Sequence, residues 1–134
     1  MPKYLLDTNV CINYIKFARS PIRTKLESID IDHIAVCSVV KFELFYGSYR
    51  STDPVRSLEK QNQFLGQFRS FPFGEPEAID AGRIRADLAS IGNMIGGYDI
   101  QIAAIARAND LILVTHNTSE FSRVADLKLE DWEI

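Results

Sequence analysis

The stretch Lys3-Tyr4-Leu5-Leu6-Asp7-Thr8-Asn9 is a short apolar run that ends in a carboxylate. A strand running straight into Asp delivers that side chain to the carboxyl edge of a sheet, where open α/β sheets bind their ligands. Two later runs share its character. Ile34-Ala35-Val36-Cys37 and Leu111-Ile112-Leu113-Val114-Thr115 are continuous apolar segments, the pattern of strands buried on both faces. Helical signals fill the intervals. A helix is expected from about Asn9 to Ala18, with Thr8 or Asn9 as its cap. Ser20-Pro21 restarts one, since proline is tolerated at the first helical position. Ser38 caps a helix to about Tyr49, and Thr52-Asp53-Pro54 opens another to about Arg69. Ser70-Phe71-Pro72-Phe73 reads as a short extended piece. Pro76 begins a helix with Ile84, Leu88 and Ile91 on one stripe. Gly92, Gly96 and Gly97 mark a loop, and Asp99 to Ala108 is a helix apolar nearly all round, hence buried. The tail from Leu127 to Trp132 adds an edge strand. Strands alternating with helices predict an α/β layer fold around a short, mainly parallel central sheet.

A chain of 134 residues is one domain, residues 1–134, by the length prior. Its apolar share of 46% and charged share of 25% are those of an ordinary globular protein with a core of its own. Cys11 and Cys37 form no CxxC pair, which argues against a zinc or redox motif. Both sit in apolar surroundings and read as buried, reduced thiols of a cytoplasmic protein. The N-terminus has no basic region followed by a long apolar core, so no export signal is expected. The longest apolar stretch, Ala86 to Ala106, is interrupted by Asp87 and Asp99 and does not suit a membrane span. The net charge of −3 does not favour a general nucleic-acid binder. Basic residues are nevertheless clustered, at Lys16, Arg19, Arg23 and Lys25 and again at Arg50, Arg56, Lys60 and Arg69. Each cluster reads equally as a solvated helix face or as a phosphate-binding surface.

Four polar positions stand in or beside apolar segments: Asp7, Glu43, Asp99 and Asn117. Each has a plain structural explanation. Asp7 and Asp99 each suit the cap of the helix that follows, and Asn117 with Glu120 resembles a capping box. Glu43 is ringed on its helix face by Val39, Val40, Tyr46 and Gly47. The joint placement says more. Asp7 and Asn117 follow strands, Asp99 begins the helix before the last strong strand, and Glu43 follows the second strand by about one and a half turns. In a parallel sheet all four converge on one edge. Two carboxylates ~4 Å apart repel by roughly 4 kcal/mol at an effective dielectric of 20, so three need a compensating cation. Oxygen ligands without His or Cys suit Mg²⁺ or Mn²⁺ rather than zinc. A hard ion held by carboxylates is the usual apparatus of phosphoryl chemistry. His116 has no second histidine near it and reads as substrate-facing or structural.

These blocks resemble the PIN-domain nucleases. The similarity lies in Leu6-Asp7-Thr8-Asn9, in Ser38 to Gly47, in Gly97-Tyr98-Asp99-Ile100-Gln101-Ile102-Ala103-Ala104 and in Val114 to Phe121. It is closest to the VapC-type toxins of bacterial toxin–antitoxin pairs, and it continues through Arg123-Val124 and Leu129-Glu130-Asp131-Trp132. The resemblance implies a three-layer α/β/α fold and a Mg²⁺- or Mn²⁺-dependent endoribonuclease that cuts exposed loops of tRNA or ribosomal RNA. It implies Asp7, Glu43 and Asp99 as the acidic triad and metal ligands. Asn117 takes a fourth position that is often Asp, and Glu120 adds an acid behind the ligands. It also implies a homodimer and a small VapB-like antitoxin whose C-terminal part blocks the site. Lys16, Arg19, Arg50 and Arg56 are placed to meet substrate phosphates, while Phe42, Phe45, Tyr46 and Tyr49 read as core or dimer interface. Three rivals are weighed. A flap nuclease needs more chain for a clamp, and a receiver domain needs an acidic pair after its first strand and a Lys after its last. A non-catalytic module would hold basic partner residues on the same acids and cut nothing.

Overall fold

A computed structural model describes residues 1–134. Five strands form one parallel sheet: β1 (Tyr4–Leu6), β2 (Ile34–Cys37), β3 (Arg69–Phe71), β4 (Ile112–Val114) and β5 (Leu129–Glu130), in the order β3-β2-β1-β4-β5. Every pairing is parallel, with Leu5 beside Ala35 on one side and Leu113 on the other. Parallel strands must be covered on both faces, which is why β2 is buried along its whole length. The chain runs outward from β1 to β2 and β3, then returns across the sheet to β4 and β5. The direction of travel reverses between β1 and β4, and such a reversal opens a crevice beyond the carboxyl ends of the strands.

The helices are α1 (Thr8–Lys16), α2 (Pro21–Glu27), α3 (Ser38–Tyr49), α4 (Pro54–Leu65), α5 (Glu75–Ser90), α6 (Gly97–Ala108) and α7 (Thr118–Phe121). They complete a three-layer α/β/α architecture in which α3 packs on α4 and α5 on α6. Ser20 caps α2 through its side chain, with Pro21 at the first helical position. Asp53 does the same for α4, ahead of Pro54. The core is continuous through Leu5, Leu6, Ile34, Val36, Ile102, Ile105 and Leu113, all fully buried. Cys11 and Cys37 are buried free thiols whose pKa is pushed up by burial, in Cys37 to about 11. No helix is long and apolar enough to cross a membrane.

Several expected boundaries shift. The first helix stops at Lys16 rather than Ala18, and α4 at Leu65 rather than Arg69, because Gly66 takes the cap and β3 already begins at Arg69. Cys37, not Ser38, occupies the cap of α3, and the Ser38 hydroxyl instead accepts a hydrogen bond from the Phe73 amide at 3.2 Å. Ile84 and Leu88 are buried as expected, but Ile91 is 66% exposed. It follows the last turn of α5, where Gly92 at φ +64° swings the chain away. The aromatic face of α3 does not enter the core either. Phe42, Tyr46 and Tyr49 are exposed, and only Phe45 packs partly against buried residues.

Candidate active site

Asp7 anchors the crevice. Its backbone is extended at the cap of α1, which turns the carboxylate back along the strand edge. Oδ1 accepts from the Thr8 amide at 2.8 Å, and Oδ2 accepts from Thr115 Oγ1 at 2.8 Å. The second bond spans the reversal between β1 and β4, because Thr115 follows β4 directly. Thr115 Oγ1 in turn accepts from the Asn117 amide at 3.0 Å. Asp7 is therefore a helix cap and a member of the crevice at once. It is 5% exposed, and each of its oxygens keeps a second lone pair.

The other acids arrive from separate elements. Glu43 lies in the second turn of α3, half-buried, and its Oε1 accepts from Thr8 Oγ1 at 2.8 Å. Asp99 is the third residue of α6. The cap there is Gly96, so Asp99 does not cap the helix. Asn117 occupies the cap of α7 without a side-chain cap bond; its Nδ2 donates instead to Glu120 Oε2 at 3.0 Å. A capping box would aim both side chains at backbone groups. Here they bind each other and face the crevice with the remaining acids.

The electrostatics of the crevice are one-sided. The Asp99 carboxyl is pushed up to about 6, first by burial and then by the charges of Asp7, Glu120 and Glu43. The first turn of a helix ordinarily favours an ionised acid, so burial together with the surrounding carboxylates outweighs the α6 dipole. Asp7 is also raised, by burial, against the opposing pull of Thr115 and Thr8. The ion pairs of the molecule are Arg23–Glu27, Arg107–Asp80, Lys128–Asp110 and His116 with Asp131 and Glu133. None involves Asp7, Glu43, Asp99 or Glu120. Four carboxylates thus share a crevice without a cation of the protein's own.

The donor set is all oxygen, which suits a hard divalent cation. The spacing bears on how it is held. The single trio of ligand atoms within 4.8 Å of one another is His116, Asp131 and Glu133, so Asp7, Glu43 and Asp99 stand wider apart. A wide, acidic, oxygen-lined crevice suits a divalent ion that keeps several of its waters and takes only one or two carboxylates directly.

Sequence reasoning missed one partner. Thr8 reads as a cap, yet its hydroxyl links the Asp7 segment to Glu43. Its only signal is adjacency to Asp7. His116 is turned away: Nδ1 lies 2.9 Å from Asp131 Oδ2, and the side chain is 63% exposed. Lys16 lines a separate recess that Glu43 also borders, and it pairs with none of the crevice acids. Arg19 is exposed in a shallow depression beside Lys16, Arg56 is exposed at the start of α4, and Arg50 donates to Tyr46 Oη at 3.1 Å.

The protein-family model of the PIN domain matches residues 4–127. The chain is 38% identical over 132 residues to the tRNA(fMet)-specific endonuclease VapC of Shigella flexneri, covering 98% of this chain and 99% of that protein. In solved structures it is similar to a DNA-bound VapBC from Salmonella typhimurium (TM-score 0.93, 36% identity, 98% and 99% of the two chains). It is also similar to VapBC2 from Rickettsia felis bound to a DNA fragment from its promoter (TM-score 0.89, 33% identity, 96% and 98%). The matched segment takes in four of the five strands and every acid of the crevice, and the relatives align along nearly their whole length; this chain belongs to the PIN domain family.

Proposed function

We propose that the chain is a metal-dependent endoribonuclease, the toxin half of a toxin–antitoxin pair, which hydrolyses a phosphodiester bond in an exposed tRNA loop. The observation that carries the reading is the gathering of Asp7, Glu43, Asp99 and Glu120 from separate elements at one sheet edge, with no ion pair to any of them. Names of relatives at 36–38% identity, tRNA(fMet)-specific endonucleases, supply the substrate class. Bound Mg²⁺ or Mn²⁺ would supply positive charge that acidifies a water and stabilises the phosphorus oxygens. Asp7 and Asp99 would hold the ion. Glu43, whose Oε2 accepts no hydrogen bond from the protein, would hold it or orient the attacking water. Thr115 fixes the Asp7 carboxylate, and the Asn117 amide in turn fixes Thr115.

Relatives crystallised as VapBC complexes support a cognate VapB-like antitoxin as partner. The exposed aromatic face of α3 (Phe42, Tyr46 and Tyr49) supports a homodimer contact, and the reading carries a cytoplasmic location. The test is cleavage of initiator tRNA with Mg²⁺ or Mn²⁺. Cutting within one exposed loop, lost in EDTA and lost in Asp7→Asn, is the expected result. Full cutting by that variant, or in EDTA, overturns the assignment.

A further inference from the structure

Beside the acidic crevice, α1, α3 and α4 leave a half-enclosed recess of about 290 Å³. Ile12, Ile15 and Leu44 supply its apolar faces, while three serines, Glu43 and Lys16 line it with polar groups. Glu43 therefore belongs to the crevice and to the recess at once. Two residues that line the recess each carry a cost in stability. Gly47 lines it in the middle of α3, and a Cβ built there meets no atom within 4 Å. Glycine inside a helix is less stable than alanine, and nothing steric requires it here. Gln61 lines it from α4, and its Oε1 is closed off from solvent with no hydrogen-bond partner, the one buried side-chain atom of the molecule in that state. An unpaired buried acceptor is destabilising, and rotation of the carboxamide toward the recess lets a ligand N–H relieve it.

We propose that this recess is a nucleobase subsite, which takes the base of a nucleotide flanking the scissile phosphate. The proposal rests on the ribonuclease reading and adds where the RNA lies. Apolar walls suit a flat ring, and the cavity has room for one base. Every nucleobase carries an N–H on its edge, and the Gln61 carboxamide turns to accept it. Lys16 meets the adjoining phosphate. The position next to Glu43 puts the sugar–phosphate chain across the acids.

The test uses the whole protein in EDTA, with isotope-labelled side-chain amides followed by NMR. The ligands are the four nucleoside 5′-monophosphates, with ribose 5-phosphate as the control that lacks a base. Nucleotides are expected to move the Gln61 amide and the Gly47 backbone and to bind at least fivefold tighter than the control. Gln61→Leu removes the acceptor and should weaken nucleotide binding several-fold while raising the melting temperature. Gly47→Leu fills the recess from a helix position that tolerates a side chain, and should abolish binding with the fold retained. Equal binding of nucleotide and control overturns the proposal, as does unchanged binding in Gly47→Leu. If the bases leave the recess unmoved and Gly47→Leu weakens only the grip on the antitoxin, the recess is a protein pocket and the proposal falls. Cleavage separates the two readings. If nucleotides fill the recess but no RNA is cut, the ribonuclease reading fails and the base site stands. If Gly47→Leu cuts the same bond at the wild-type rate, the base site fails and the ribonuclease stands.

Discussion

Helix α6 carries Asp99 in its first turn and Arg107 in its last, and the two ends treat a carboxylate withdrawn from water in opposite ways. At the far end Arg107 forks onto Asp80 of α5, with Nε 2.9 Å from Oδ2 and Nη2 2.8 Å from Oδ1. Its Nη1 donates to the Ala125 carbonyl at 2.9 Å. The guanidinium is raised above its ordinary pKa chiefly by the Asp80 hydrogen bonds. Bidentate geometry with all three guanidinium nitrogens donating is the form in which a buried pair is stable. At the near end Asp99 faces Asp7, Glu43 and Glu120 with no cation, and its carboxyl rises to about 6. One helix therefore shows both outcomes. This fold pairs a carboxylate where the pair joins two helices, and leaves four unpaired where the sheet edge opens to solvent. The unpaired group costs stability that an external cation or a bound proton returns.

The largest effects should separate the two ends by kind. Asp7→Asn keeps the shape of the cap at β1 and removes a charge. RNA cleavage should fall by about 10²–10³-fold, the scale on which one preorganised electrostatic group counts, while the melting temperature holds or rises. Arg107→Ala should do the reverse. It strands Asp80 between α5 and α6 and should cost about 2–3 kcal/mol by denaturant melts, just below the range for a fully buried pair. Cleavage per folded molecule should stay near wild type. A variant at Arg107 that folds well and cuts nothing would erase the contrast.

A smaller effect tests how the unpaired end is held. Thr115→Val is close to isosteric and deletes the hydroxyl that donates to Asp7 Oδ2 and accepts from the Asn117 amide. Groups that orient a metal ligand typically change metal affinity or activity by about 10–100-fold. The Mn²⁺ concentration for half-maximal cleavage should rise by that order, with the saturated rate less affected. If the requirement is unchanged, Thr115 is only part of the core.

The same contrast explains what the sequence made legible. Asp7 and Asn117 stand out because apolar runs end just before them, and runs buried on both faces are the strongest strand signal in an α/β protein. Glu43 stands out because its helical neighbours are apolar, and Asp99 because two glycines introduce it. Each signal lies within a few residues of the group it marks. Contacts between distant segments carry no such mark. Thr8 and Glu43 are 35 positions apart, and only the crossing of α1 and α3 brings them together. The pairing of Asp80 with Arg107 spans 27 positions and two helices. His116 meets Asp131 because β5 pairs with β4, a short strand that composition barely signals. The face of α3 was illegible for another reason. That helix is apolar nearly all round, so periodicity does not say which side meets solvent. Phe42, expected in the core or a dimer interface, stands exposed with its ring edge-on to Tyr98 at 5.5 Å, beside Asp99.

The finest test follows the charge of Asp99 through pH in the metal-free protein. Its folded pKa of about 6 lies above the ordinary value of 3.8. The folded chain thus takes up this proton more readily than the unfolded chain. The stabilisation is fully present below about pH 4 and is lost as the pH climbs through about 6. Asp7, raised chiefly by burial, adds in the same direction. The difference in melting temperature between wild type and Asp99→Asn reads this group together with its coupling to Asp7, Glu43 and Glu120. The variant should melt higher at neutral pH, and the gap should close between about pH 6 and 4. Saturating Mg²⁺ favours the ionised acid and should reverse the order at neutral pH, wild type then melting above the variant. A gap that ignores both pH and Mg²⁺ would mean that Asp99 is neutralised within the protein, as Asp80 is by Arg107, and the two ends of α6 would no longer differ.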